Sequence, residues 1–185
     1  MNKRIVVPGE EIGTSEEYLP GKCTYELDGK IFSKAIGFFV PNIKERIADV
    51  ESFNSPTVIS DSDIVVGFVS DIKSSAAIIN IVKVLGKKRG ISGDKLGYLH
   101  ISKICSSYVE KITDHYRLMD IVLAKVIGTK PTLQLETIAP ELGVIKAICP
   151  KCKKNLEIEN NELFCKKCER KEMRKIAKDY GKGIL

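Results

Sequence analysis

An all-β chain of three small modules is the fold class this sequence predicts, and three observations predict it. Between residues 61 and 137 lie five strand-length apolar runs, rich in Val and Ile and separated by Gly, Pro, Asp or Lys-rich turns. Two Cys-x-x-C pairs stand twelve residues apart further along the chain. Asp28-Gly29 joins two short stretches of strand character, a strong hairpin signal because both turn positions of the favoured turn need positive φ. The modules so implied span 1–57, 58–140 and 144–185. Domains this small bury little core, so at least one needs a metal or a partner.

In the first module, Ile5-Val6-Val7 is a short strand that Pro8-Gly9 stops, and Glu16, Glu17 and Pro20-Gly21 make a loop. Residues 23–27 and 30–36 flank the Asp28-Gly29 turn, and a further strand is expected at 46–51. Seven basic against nine acidic side chains in residues 1–59 suit this module poorly to a polyanion. It is read as a docking module, with a merely structural role as the alternative. Asn54-Ser55-Pro56-Thr57 is a linker, because proline excludes helix for itself and its predecessor.

The five central runs cover 64–72, 76–85, 96–101, 121–128 and 133–137. Closure into a five-stranded barrel removes exposed sheet edges. Asp63-Ile64-Val65-Val66-Gly67-Phe68-Val69, Gly97-Tyr98-Leu99-His100-Ile101-Ser102, residues 120–127 and Leu133-Gln134-Leu135 follow in an order that resembles the S1 RNA-binding domains, which are OB-fold barrels. The resemblance implies that His100 lines an RNA face. Alternatively, its imidazole satisfies a neighbouring carbonyl at a strand end. It also implies two aromatic residues in the second strand, yet Ser75-Ala76-Ala77-Ile78 stands there, so roughly 1–3 kcal/mol per stacked base is missing. Lys87, Lys88, Arg89 and Lys95, in a glycine-flanked loop, are candidate phosphate contacts or a solvated loop. Lys125 and Arg117 add positive charge. Residues 107–119 are a short helical or irregular crossing, with Tyr108 and Tyr116 read as packing residues.

Residues 139–143 end the barrel and lead to Cys149-Pro150-Lys151-Cys152 and Cys165-Lys166-Lys167-Cys168. Each pair places two thiolates on one side of a tight turn, and two such turns complete a tetrahedral zinc site. The rival readings are a disulfide pair or free thiols. Leu156-Glu157-Ile158-Glu159, a turn at Asn160-Asn161 and Glu162-Leu163-Phe164 make the strands of a zinc ribbon. A closed shell of four thiolates leaves no position for water, so one Zn2+ there is structural, with a binding energy on the order of 10 kcal/mol. Chelation is expected to unfold 144–185 and leave the barrel intact. Cys23 and Cys105 are read as ordinary thiols. Residues 169–181 are too charged to form a core alone; the open readings are that they return as the last ribbon strand or that they fray, and their basic side chains are candidates for a partner surface.

Net charge is +6. Residues 1–143 hold 18 basic and 18 acidic side chains, whereas 144–185 hold 12 and 6, so the whole excess lies in the last module. A basic module invites a polyanionic or acidic partner, or is a solvated surface. No apolar run approaches the roughly 20 residues that cross a bilayer, and Pro8, Glu10 and Glu11 come too soon for a signal peptide. The expectation is a soluble, cytoplasmic protein that engages no membrane. No glycine-rich phosphate loop, Ser-His-Asp arrangement or acidic two-metal cluster is found, so catalysis is not expected.

A β-domain opening with Val-Val-Pro-Gly-Glu, an S1-like barrel and a four-cysteine ribbon ending in Asp-Tyr-Gly resemble, in that order, the S1-and-zinc-ribbon cap subunits of the archaeal RNA exosome. That resemblance implies a non-catalytic, RNA-binding subunit on a hexameric ring of 3′-to-5′ exoribonuclease subunits. It implies docking through the N-terminal domain, company with other cap subunits, and recruitment of RNA and a primase-like subunit. Two rival readings are a self-contained RNA-processing enzyme using His100 or His115 beside a carboxylate, and a structural protein of the ribosome or RNA polymerase machinery.

Overall fold

Short strands dominate the first unit because Gly, Pro and Asp interrupt it every few residues. A computed structural model describes residues 4–159 and 162–183 and divides into two compact units, Met1–Ser55 and Pro56–Leu185. In the first lie β1 (Ile5–Val6), β2 (Glu11–Thr14), β3 (Leu19–Pro20), β4 (Thr24–Leu27), β5 (Lys30–Ser33), β6 (Gly37–Asn42) and β7 (Ile47–Ser52). One sheet runs β1-β6-β7-β3 and the other β2-β5-β4. Asp28 and Gly29 take φ of 50° and 75°, which is the turn their dipeptide signals, and Leu27 pairs with Lys30 across it. Val6, Ile12, Ile31, Ala48 and Val50 form the core, with Tyr18 edge-on to Phe39 beside it. The expected strand at 46–51 is β7. Its partner β6 was not expected, and the 30–36 strand ends at Ser33 because the chain turns there to start β6.

The second unit begins with β8 (Ile64–Ile72), β9 (Ala76–Val84), β10 (Leu96–His100), β11 (Ile121–Gly128) and β12 (Leu133–Glu136). These match the five expected runs to within a residue at either end. Antiparallel pairs join β10 to β9, β9 to β8, β8 to β11 and β11 to β12, and a parallel β10–β12 pair closes the barrel. Alternation turns Val65, Val69, Ile79, Ile81, Leu99, Val122, Ala124, Val126 and Leu135 inward, all essentially inaccessible. Gly97 permits the closure. A Cβ there would stand 2.5 Å from Leu135 Cδ1, so a side chain at this position would displace Leu135 from its place in the core.

The crossing between β10 and β11 holds two 3-10 turns, Ile101–Lys103 and Ile112–Asp114. Tyr116 is the packing residue it was taken for: it is fully buried, and its hydroxyl meets Thr137 Oγ1 at 2.7 Å, while Thr137 Oγ1 donates to the Ile104 carbonyl. Burial pushes the Tyr116 phenol up. Tyr108 is a correction, since it is 92% exposed and packs into no core. Its neighbour Val109 takes the buried position in this part of the crossing, 7% exposed within the barrel core, and Tyr108 is left facing outward.

A sixth strand was not expected. β13 (Gly143–Lys146) pairs antiparallel with β11, so the segment read as a connection to the ribbon belongs to the barrel sheet. The ribbon sheet follows as β14 (Glu157–Glu159), β15 (Glu162–Cys165) and β16 (Arg170–Glu172). The turn expected at 160–161 lies outside the described residues. Barrel residues and Cys149, Leu156, Leu163 and Cys165 share one continuous core. Within Pro56–Leu185 the packing therefore runs unbroken past the boundary near 140 that composition suggests. A smaller core of Val66, Leu123, Leu142, Ile145 and Ala177 covers the outer face of β8 and β11. Among the described residues no helix is long and apolar enough to cross a membrane.

Candidate metal centre and nucleic-acid interface

The two Cys-x-x-C segments form matching knuckles. Lys153 N–H donates to the Cys149 carbonyl at 2.9 Å, and Glu169 N–H donates to the Cys165 carbonyl at 2.8 Å. The donor in each case follows the second cysteine of its pair and takes positive φ, 59° at Lys153 and 51° at Glu169. This tight turn aims both sulfurs of a pair the same way. The four Sγ atoms of Cys149, Cys152, Cys165 and Cys168 all lie within 4.8 Å of one another, a group able to hold a metal ion. Cys152 and Cys165 are 3.4 Å apart, well beyond a bonded sulfur pair, and all six cysteines are unbridged. The Cys152 N–H favours a thiolate at Cys149 and draws it down to about 6, whereas crowding by the Cys152 sulfur raises Cys168 to about 12. Sulfurs so placed resist ionising together unless a cation sits among them.

The charged tail beyond the ribbon does not fray. After β16 it returns to the barrel: Lys175 N–H donates to the His115 carbonyl, and Val144 and Ala177 exchange bonds with the tail and β13 respectively. Arg174, one of the basic side chains read as candidates for a partner surface, is instead turned inward. Its side chain is 1% exposed, and its Nε donates to Asp120 Oδ2 at 2.7 Å, with Asp120 fully buried. Nη1 donates to Glu172 Oε2 at 3.2 Å. Burial pushes the Asp120 carboxyl up, and Arg174 together with the Arg117 N–H pulls against it. Tyr180 bonds both sides of the joint, its hydroxyl accepting from Ala147 N–H and donating to the Leu156 carbonyl.

The residues proposed from sequence to face RNA fall into two groups. Lys87, Lys88, Arg89 and Lys95 lie in the loop that enters β10 at Leu96. Lys87 is held inward, its Nζ 2.6 Å from Asp63 Oδ2 and 3.0 Å from the Val58 carbonyl. Burial opposes the Asp63 carboxylate, but the Lys87 ammonium and the Ser60 N–H outweigh it and hold the carboxyl below its usual range. Lys88, Arg89 and Lys95 are exposed. His100 lies at the other end of β10, about 17 Å from Lys95 at strand rise.

His100 caps the 3-10 turn that follows it. Its Nδ1 accepts from Ser102 N–H at 3.3 Å and lies 2.8 Å from Ser102 Oγ. The accepting Nδ1 leaves Nε2–H as the outward donor. The sequence alternative, a bond to a neighbouring carbonyl, is not what the ring makes. His100 lines a groove of about 430 Å³ together with Tyr98, Lys103, Thr132 and Gln134. Lys125 is half-buried on the outer face of β11, two residues from Ile127 of the same groove. Sequence reasoning passed over Tyr98 and Gln134. The available signal was alternation, which puts Tyr98 on the same face as His100.

The family model described as the exosome complex exonuclease RRP4 N-terminal region matches residues 5–39. The chain is 40% identical over 180 residues to the exosome complex component Csl4 of Archaeoglobus fulgidus, spanning 97% of this chain and 98% of that protein. Against the exosome complex component CSL4 of Mus musculus the identity is 30%, over 95% of this chain and 93% of the other. Among solved structures, the intact alpha subunit of aIF2 from Pyrococcus abyssi matches 42% of this chain and 28% of its own, at 26% identity and a TM-score of 0.35. Two near full-length matches, one archaeal and one mammalian, put the assignment beyond a shared barrel: this chain belongs to the Csl4 family of exosome components.

Proposed function

We propose that this chain is a non-catalytic RNA-binding cap subunit of an archaeal exosome, helping to bring RNA and accessory protein to a hexameric 3′-to-5′ exoribonuclease ring. The observation that carries this reading is the 40% identity to the Csl4 component over nearly the whole of both chains. Module 1–57 docks on the ring beside other cap subunits, 58–140 is the S1-type barrel that meets RNA, and 144–185 is the ribbon, with a primase-like subunit as an accessory partner. The complex works in the cytoplasm.

Cys149, Cys152, Cys165 and Cys168 hold one structural Zn2+. Four sulfur donors and no open position suit that ion and leave no room for substrate. On the barrel, Lys88, Arg89 and Lys95 meet phosphates and His100 offers Nε2–H, with Lys125 nearby; Lys87 acts through Asp63 by fixing the loop. Reconstitution with an archaeal exoribonuclease ring tests the reading, comparing decay of single-stranded RNA with and without this chain. Faster capture and decay with the chain, and no decay by the chain alone, are the expected results. Failure to co-purify with the ring, or co-purification with ribosomal or polymerase subunits, overturns it.

A further inference from the structure

Ala76 is the residue opposite His100 in the β9–β10 register, and Ile78 is opposite Tyr98. These two second-strand positions carry no ring, so nothing on β9 offers a flat surface to a base. The neighbouring strand does. Tyr98 and His100 stand two residues apart on the outer face of β10, and both line the groove, of which Ala76 forms part of the wall. A small residue at 76 leaves the space that a larger side chain would fill. Tyr98 is 37% exposed, and among the described residues its hydroxyl has no hydrogen-bond partner. None of the ring's polar capacity is therefore spent on the described residues.

The rest of the groove fits an unpaired nucleotide. Gln134, opposite Tyr98 in the parallel β10–β12 register, carries two donors and an acceptor on one amide, and Thr132 adds a hydroxyl. His100 supplies a further donor, and Lys103 at the rim supplies positive charge for a phosphate. Among the described residues no carboxylate lines the groove. Its volume of about 430 Å³ falls in the range of single small-ligand sites, roughly 300–1,000 Å³. An apolar peptide side chain would need none of these polar groups, whereas a base uses both the ring face and the amide edge.

The geometry points to Tyr98 as the stacking platform of this barrel, holding one unpaired base of single-stranded RNA against its ring while Gln134 meets the base edge. The stacking surface has moved from the second strand to the third. This rests on the RNA-binding reading above, and the test separates the two. The full chain, zinc-loaded, is titrated with a fluorescently labelled oligoadenylate. Tyr98→Ala is expected to weaken binding about 5- to 150-fold, the equivalent of ~1–3 kcal/mol per stacked base, and Tyr98→Phe to retain it. The chain has no tryptophan, so Tyr98→Trp introduces a single indole whose emission should be quenched saturably by the oligonucleotide. Tyr98 faces outward, and an unchanged melting curve checks that each variant is folded.

Equal binding by wild type and Tyr98→Ala, or an indole that RNA leaves unquenched, overturns the assignment. If Lys88→Ala/Arg89→Ala weakens binding while Tyr98→Ala does not, the RNA reading stands and this inference falls. If wild type captures no oligoadenylate at low or moderate salt, both fall. A Tyr98→Ala chain that binds RNA normally but no longer joins the ring makes the groove a protein contact, and that also overturns the inference.

Discussion

Arg174 and Asp120 meet at a depth where a lone charge is costly, and each is tolerated there because the other is present. Arg174→Met should destabilise the unit by about 3–5 kcal/mol, since it leaves an uncompensated buried carboxylate. The sign of the pH effect follows from burial, which raises the Asp120 pKa in the fold. Without Arg174 to oppose it, stability should be greatest below the unfolded carboxyl pKa of about 4 and be lost as pH rises through the raised folded value. Urea midpoints of the variant that do not fall between acid and neutral pH would refute this. Asp63 behaves oppositely: its folded pKa lies below the ordinary range, so its contribution is present above about 4 and lost as pH falls through the folded value. Lys87→Ala should therefore lower thermal stability and remove that acid-side slope, while leaving most RNA affinity to Lys88 and Arg89. Neither pairing was legible in the sequence. Lys87 looked like its basic neighbours because nothing local reveals that a carboxylate 24 residues upstream comes within reach, and Arg174 sat in a run whose composition reads as solvated.

At the scale of elements, the barrel strands were legible because each carries a turn signal at both ends and presents one apolar face to a single interior. β13 was not. Gly143-Val144-Ile145-Lys146 is too short to announce itself and becomes a strand only because β11 offers it an edge. β6 was hidden by Pro41, which argues against a strand but is harmless where the short β1 does not reach to pair with it. The four cysteines were legible because their spacing alone specifies a knuckle. How the ribbon ends was not, since it depends on tertiary contacts of the tail. Those contacts redraw the effect of chelation. Stripping the metal should release the amides of Lys153, Cys168 and Glu169, whose bonds close the knuckles, while Val144, Lys175 and Ala177 remain protected by the barrel. Hydrogen exchange with and without chelator measures this, and loss of protection at Val144 would show that the ribbon and β13 open together.

For the whole molecule, the division at Ser55/Pro56 separates chains with cores of their own. A fragment beginning at Pro56 should fold without the first unit and keep its melting transition; a fragment that stays unfolded would mean the first unit supplies part of its stability. The clasp between Asp120 and Arg174 spans 54 residues of sequence, and the single bridge from Ile176 to Val144 follows it. A chain made vectorially can shape the five-stranded barrel early, yet it must keep Asp120 hydrated until the guanidinium arrives. Stalled translation products that stop short of Arg174 should thus be cut readily by protease around β11, and those extended past Ala177 should resist, so that the barrel matures only once a segment 54 residues downstream of Asp120 has left the ribosome.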